Sequence, residues 1–377
     1  MTEVVIAGYV RSPFHPANKG ALAKVRPDDM AAQVIQGLID KTGVDTAKIE
    51  DLALGCAFPE GEQGFNMARL VVLLAGLPNS IGGITMNRFC GSSMSALHYA
   101  AGQICLGAGE CFIAAGVESM SRVPMGGFNP MPNPKLAQSS DAYIAMGDTA
   151  ENLAKMYGIE REKQEAFAVE SQKKAAAAAA AGKFDEEIIP IKIGDAVIDT
   201  DGTIRPDTTA EGLAGLKPAF NAQGTVTAGT ASPLTDGCAA LLVCSAEFAK
   251  ENGLDVIAKV KSVAISGCAP EVMGLGPVIS SQKAVERAGI GFDDIAVIEL
   301  NEAFASQALA CMSDLGLDGA KVNPDGGAIA IGHPLGATGA RIVGKAAQIL
   351  KRDGGKYALA TQCIGGGQGI ATVLESV

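Results

Sequence analysis

Three short stretches hold residue types and spacings that can do covalent chemistry. In "MNRFCGSSM", residues 86–94, a single thiol, Cys90, stands between a β-prone run and a helix-patterned run of small residues. A thiol at a helix N-terminus faces unpaired N–H groups and the positive end of the macrodipole, which favour the thiolate and lower its pKa. Cysteine also serves as a small buried hydrophobe, and the local pattern admits either role. In "NPDGGAIAIGHPLGATGAR", residues 323–341, His333 lies between Gly332 and Pro334, on a tight turn that lets a ring approach another loop closely. In "CIGGGQG", residues 363–369, Cys363 precedes three consecutive glycines, whose N–H groups are free to face an oxyanion or a phosphate. That stretch lacks the Lys-Ser/Thr of a P-loop and the GxGxxG spacing before a helix. Taken together, the three stretches offer a Cys–His pair with an additional acid/base.

These groups need a frame. The first hundred residues alternate strand-like and helix-like runs ("VVIAGYV", "DDMAAQVIQGLIDKTG", "IEDLALGCA", a helix from about Gly91, then "CFIAAGVES"), and this alternation predicts an α/β layered sheet. From residue 121, "SRVPMGGFNPMPNPKLAQSS" has no period and reads as a loop or lid. Helices follow at "DTAENLAKMYG" and "REKQEAFAVESQKKAAAAAAAG", the second a surface or packing helix stopped by its glycine. From about residue 256 the alternation resumes. A shift of 245 lays "GSSMSALHYAAGQI" (91–104) on "GATGARIVGKAAQI" (336–349), and "FIAAGVE" (112–118) on "YALATQC" (357–363). The match is weak, yet helix and following strand stay in phase, as a duplicated unit requires.

Composition narrows the classes. A chain of 377 residues with 48% hydrophobic and 19% charged residues describes a compact globular protein of at least two units. The net charge of −11 argues against general nucleic-acid binding. Nine scattered cysteines with no CxxC pair argue against a disulfide framework or a zinc site. No apolar run is long enough to span a membrane, and neither a secretory signal nor a peroxisomal C-terminal tripeptide is evident, so a cytoplasmic location is expected.

"NRFCGSSMSAL", "GVESMSRVPM", "TAGTASPLTDGCAA", "NEAFASQ", "GGAIAIGHPLGATGAR" and "CIGGGQGIATV" resemble the motif set of the thiolases, in order and over essentially the whole chain. The resemblance implies a five-layer αβαβα fold of two similar halves. The N-terminal half would be 1–250, with a loop domain inserted at about 120–232, and the C-terminal half 256–377. It implies that Cys90 accepts the acyl group, His333 activates it, and Cys363 handles the α-carbon proton. Asn301 would fix a water that, with His333, forms one oxyanion hole, and the backbone N–H groups of Cys90 and Gly365 would form the other. For coenzyme A it points to Ser232 on the pantetheine arm, Met146, Met273 and Phe304 in the pocket, and Lys217 near the phosphates or adenine. Glu302 and His98 are expected to be structural. No metal or bound cofactor is implied, because CoA is a substrate.

The implied reaction is thiolytic cleavage of 3-ketoacyl-CoA, as in fatty acid β-oxidation. Short-chain biosynthetic members carry a histidine before the "MG" of the loop domain, where this sequence has Ala145; that departure points to the degradative type over an acetyl-CoA C-acetyltransferase. A catalytically inactive acyl-CoA-binding relative is the alternative of another class. The family also implies a homodimer or homotetramer, and allows association with a partner carrying hydratase and dehydrogenase activities.

Overall fold

The structure, a computed structural model, describes residues 2–377. Its main strands are β1 (Val4–Arg11), β2 (Asp51–Gly55), β3 (Gly82–Met86), β4 (Cys111–Ser119), β5 (Thr235–Ser245), β6 (Ala258–Gly267), β7 (Ile295–Leu300), β8 (Tyr357–Ile364) and β9 (Gln368–Glu375). The longer helices are α1 (Pro27–Thr42), α2 (Met67–Leu74), α3 (Ser92–Leu106), α4 (Met146–Tyr157), α5 (Arg161–Ala180), α6 (Gly276–Ala288), α7 (Ala305–Leu315) and α8 (Thr338–Asp353).

The strands run β7-β8-β9-β6-β1-β5-β4-β2-β3 across one path. That path divides into two half-sheets. They meet only where β1 pairs β6, through Val5↔Lys259 and Ile6↔Ala258. On the N-terminal side β2 lies parallel to β4, while β4 and β5, and β5 and β1, are antiparallel. On the other side β7 lies parallel to β8, while β8 and β9, and β9 and β6, are antiparallel. The topologies superpose strand for strand, and even the edge strand β3 has its counterpart in a single parallel bridge, Ile298↔Val322. The weak repeat at a shift of 245 is therefore a repeat in space: α3 with β4 matches α8 with β8.

Burial explains the layering. All residues of β4 and β5 are buried, as near-continuous apolar runs covered on both faces should be. One core packs α1 and α2 on the N-terminal half-sheet, a second packs α3 and α8 between the half-sheets, and a third packs α6 and α7 on the C-terminal half-sheet. The two central helices must fit between sheets on both sides, and small residues make this possible. A Cβ on Gly336 would stand 2.5 Å from the Val117 carbonyl oxygen, so only glycine lets the segment before α8 cross β4 at that height.

The segment between β4 and β5 holds α4, α5, two short helices (Pro134–Ser139 and Ala210–Ala214) and a small antiparallel hairpin pairing Ile191–Ile193 with Ala196–Ile198. Residues 121–145 contain one short helix, Pro134–Ser139, and no strand. The alanine-rich α5 ends at Ala180, ahead of the left-handed Gly182 (φ +69°). Its buried side includes Ser171 and Gln172, which turn out to brace the loops behind the candidate site.

Candidate active site

The two central helices deliver the two candidate reacting groups. Cys90 lies in the tight turn Phe89–Gly91 that leads into α3, and His333 lies in the segment that leads into α8. Both line one pocket of about 210 Å³ together with Cys363, at the end of β8. The duplicated topology thus brings equivalent helix starts together at the seam between halves.

Local hydrogen bonds hold the turn at Cys90. Phe89 is forced to φ +43°, a rare conformation for an aromatic residue, and its N–H donates to Asn87 Oδ1 at 2.7 Å. The Ser92 hydroxyl donates to the Phe89 carbonyl (2.6 Å) and accepts from the Arg88 N–H (2.9 Å). Gln362, next to Cys363, donates its side-chain N–H to the Cys90 carbonyl. Burial pushes the Cys90 thiol up to about 11, against the pull of the Gly365 N–H and its own N–H. This corrects the expectation that the helix start lowers the thiol's pKa: the amides face the sulfur, but desolvation outweighs them.

His333 is fixed on several sides. Gly332, at φ +105°, sets the turn. The His333 N–H donates to Thr235 Oγ1 at 3.0 Å, Nδ1 lies 2.6 Å from Thr338 Oγ1, and Nε2 lies 3.4 Å from Asn301 Nδ2. Desolvation, with a smaller contribution from Arg341, lowers the imidazole to about 3, so at neutral pH it is uncharged and available as a base. Burial likewise holds the Cys363 thiol well above its ordinary value.

The pocket walls carry most of the remaining candidates. Met146, Met273 and Phe304 line it, with Phe220 set edge-on to Phe304 at 5.7 Å between ring centres. Ser232 lines it too, its hydroxyl tied to the Ala303 carbonyl at 3.1 Å. Asn301 and Gly365 do not line the pocket but touch it through His333 and Cys90. Lys217 is exposed and is not part of the wall; Phe220, three residues on, occupies that stretch of the wall instead. Ala145 lines the pocket at the start of α4.

Sequence reasoning missed Glu118, and it expected Glu302 to be structural without showing what it braces. Glu118, fully buried, accepts from the N–H groups of Ala57 (2.8 Å) and Gly336 (2.9 Å) and from Gln63 (2.8 Å), clasping loops of both halves beside the pocket. Glu302 accepts from Ser171 (2.7 Å), Asn323 (2.8 Å) and the Ile329 N–H (3.1 Å), bracing the loop that carries Asn301. Their quoted motifs contained both glutamates, but nothing local shows which distant N–H groups a carboxylate will gather.

Family models for the thiolase N-terminal domain and the thiolase C-terminal domain match residues 4–247 and 254–376. The chain belongs to the thiolase family. Among its relatives, the 3-ketoacyl-CoA thiolase of Bacillus subtilis (strain 168) is 46% identical over 389 residues, and that of Aliivibrio fischeri 49% over 388 residues, each alignment covering 100% of both chains. A crystal structure of human mitochondrial 3-ketoacyl-CoA thiolase in complex with CoA superposes with a TM-score of 0.92 at 35% identity, covering 100% of this chain and 98% of that one. In this thiolase Cys90, His333 and Cys363 line one pocket at the seam between the duplicated halves.

Proposed function

We propose that this thiolase cleaves 3-ketoacyl-CoA with a second CoA, giving acetyl-CoA and an acyl-CoA two carbons shorter. One observation carries the reading: Cys90, His333 and Cys363 line the same pocket, with the Gly365 N–H and the Cys90 N–H directed at the Cys90 sulfur. Substrate binding lets His333 Nε2 take the Cys90 proton as sulfur attacks the C3 carbonyl carbon. The alkoxide collapses, the C2–C3 bond breaks, and the acyl group remains as a thioester on Cys90. The departing acetyl-CoA enolate holds its charge on oxygen, facing the His333 and Asn301 side, and accepts a proton at C2 from the Cys363 thiol. CoA then attacks the acyl-sulfur thioester, its thiol proton returns to Cys363, and Cys90 recovers its proton from His333. Atoms balance with CoA as the only co-substrate.

The apolar wall built by Met146, Met273 and Phe304, with small Ala145 beside them, supports acceptance of chains longer than four carbons. Comparison of kcat/KM for 3-ketodecanoyl-CoA and acetoacetyl-CoA tests this, and strong preference for the four-carbon substrate would make the protein an acetyl-CoA C-acetyltransferase. Without free CoA, the longer substrate should leave an acyl adduct on Cys90, seen by mass spectrometry. Absence of both adduct and turnover would mark an inactive binder.

We also infer a homodimer. Among the described residues the edge strand β3 has one in-sheet neighbour, β2, and Phe65, Leu70, Leu73 and Leu74 on and before the adjacent α2 are exposed, which suits burial against a second copy. Among the described residues no helix is long and apolar enough to cross a membrane. A cytoplasmic site of action and association with a hydratase/dehydrogenase partner remain part of this proposal.

A further inference from the structure

We propose that Thr338 is a positioning residue that holds His333 as the Nδ1–H tautomer and so reserves Nε2 for the Cys90 proton. This deepens the reading of His333 as the base and rests on it.

The geometry is local and closed. Thr338 Oγ1 lies 2.6 Å from His333 Nδ1 and 2.9 Å from the Pro334 carbonyl oxygen. A threonine hydroxyl has a single proton, and a bond back to the i−4 carbonyl is its habitual choice in the first turn of a helix. With that proton directed at Pro334, Oγ1 can only accept, and the proton between it and the imidazole belongs to Nδ1. The other ring nitrogen lies 3.4 Å from Asn301, whose Oδ1 is buried without a partner. An amide can present either its N–H or its oxygen to the ring, so Asn301 is compatible with either tautomer and fixes neither.

The arrangement also suits both charge states of the ring. When Nε2 gains the Cys90 proton, Nδ1 still donates to Oγ1, so the transfer asks for no rearrangement behind the ring. Thr338 and His333 are both buried, which keeps bulk water from offering Nδ1 another partner. The fold supplies this contact through the start of α8, five residues past the histidine, and the threonine touches neither the pocket nor the substrate.

The direct test needs no substitution at Thr338. The protein has three histidines, so 15N-imidazole labelling, with His15→Gln and His98→Gln used for assignment, reads the tautomer of His333 in the full-length protein. A protonated Nδ1 and an unprotonated Nε2 are expected at pH 7.5, and a dominant Nε2–H form would overturn the proposal. Thr338→Val should shift the ring toward Nε2–H and lower kcat about tenfold to a hundredfold with KM within about twofold, while Thr338→Ser restores both the tautomer and most of kcat. A valine variant that folds, keeps the wild-type spectrum and turns over normally also counts against it. The parent reading fails separately: if no acyl adduct forms on Cys90, His333 is not its base, whatever its tautomer.

Discussion

At neutral pH neither reacting group carries charge in the empty site, since Cys90 is held up near 11 and His333 down near 3. The empty site therefore holds a thiol and a neutral imidazole, and on the proposed mechanism the proton moves from Cys90 to His333 as the sulfur attacks the substrate carbonyl. Carboxamidomethylation of Cys90 should accordingly keep accelerating with pH beyond 8, whereas a plateau below pH 7 would indicate a preformed thiolate. Cys90→Ser should fold with an unchanged melting temperature and lose more than about 10³-fold in kcat, because the alkoxide is a poor leaving group when CoA must displace it. The candidate reacting residues stood out through their family-like, glycine-marked motifs, since the local pattern around Cys90 admitted either role. Thr338, Gln362 and Thr235 did not: each acts through a hydrogen bond whose meaning depends on where a neighbouring loop falls. The direction of the Cys90 pKa shift was misread for a related reason, since a helix start is visible in sequence and desolvation is not.

Elements set how firmly these residues are held. Glu118 leaves β4 to gather N–H donors from the loop after β2 and from the segment before α8. A glutamine there would turn an NH2 group toward donors, so Glu118→Gln should destabilise the fold by about 2–4 kcal/mol in urea titration and depress kcat as the His333 segment loosens. His98, on α3, makes the complementary prediction. Its imidazole, bonded to Thr372 at 2.9 Å, is lowered by burial to about 3. The unfolded chain takes up a proton below about pH 6.5 while the folded chain does not, so this contribution is present above that pH and is lost as pH falls toward 3. By pH 5 the loss is about 2 kcal/mol. His98→Asn should therefore lose less thermal stability between pH 7 and pH 5 than the parent protein; equal losses would show that His98 charges without unfolding. The helices and buried strands followed from hydrophobic period, but the α5 alanine run read as plain packing, although its Ser171 reaches Glu302.

Over the whole molecule, the duplication was faint in sequence and plain in topology. Strand order and direction repeat while side chains diverge, so the position of Cys363 in one half is held by Glu118 in the other, a pocket-lining thiol matched to a clasp. Assembly belongs to this scale. Sedimentation should give a dimer, and Leu73→Asp with Leu74→Asp should yield a monomer and abolish the concentration dependence of thermal unfolding; a monomeric parent protein would refute the β3 interface. The placement of the site at the seam has a further consequence during synthesis. Roughly 270 residues separate Cys90 from Cys363, and at ~5–20 residues per second a ribosome takes tens of seconds to pass from one to the other. On the proposed mechanism the nascent chain carries its thiol without a base until His333 is made and without the second cysteine until Cys363, so before His333 it can neither consume acyl-CoA nor become trapped as a half-finished acyl-enzyme. On that proposal, activity waits for the last strands.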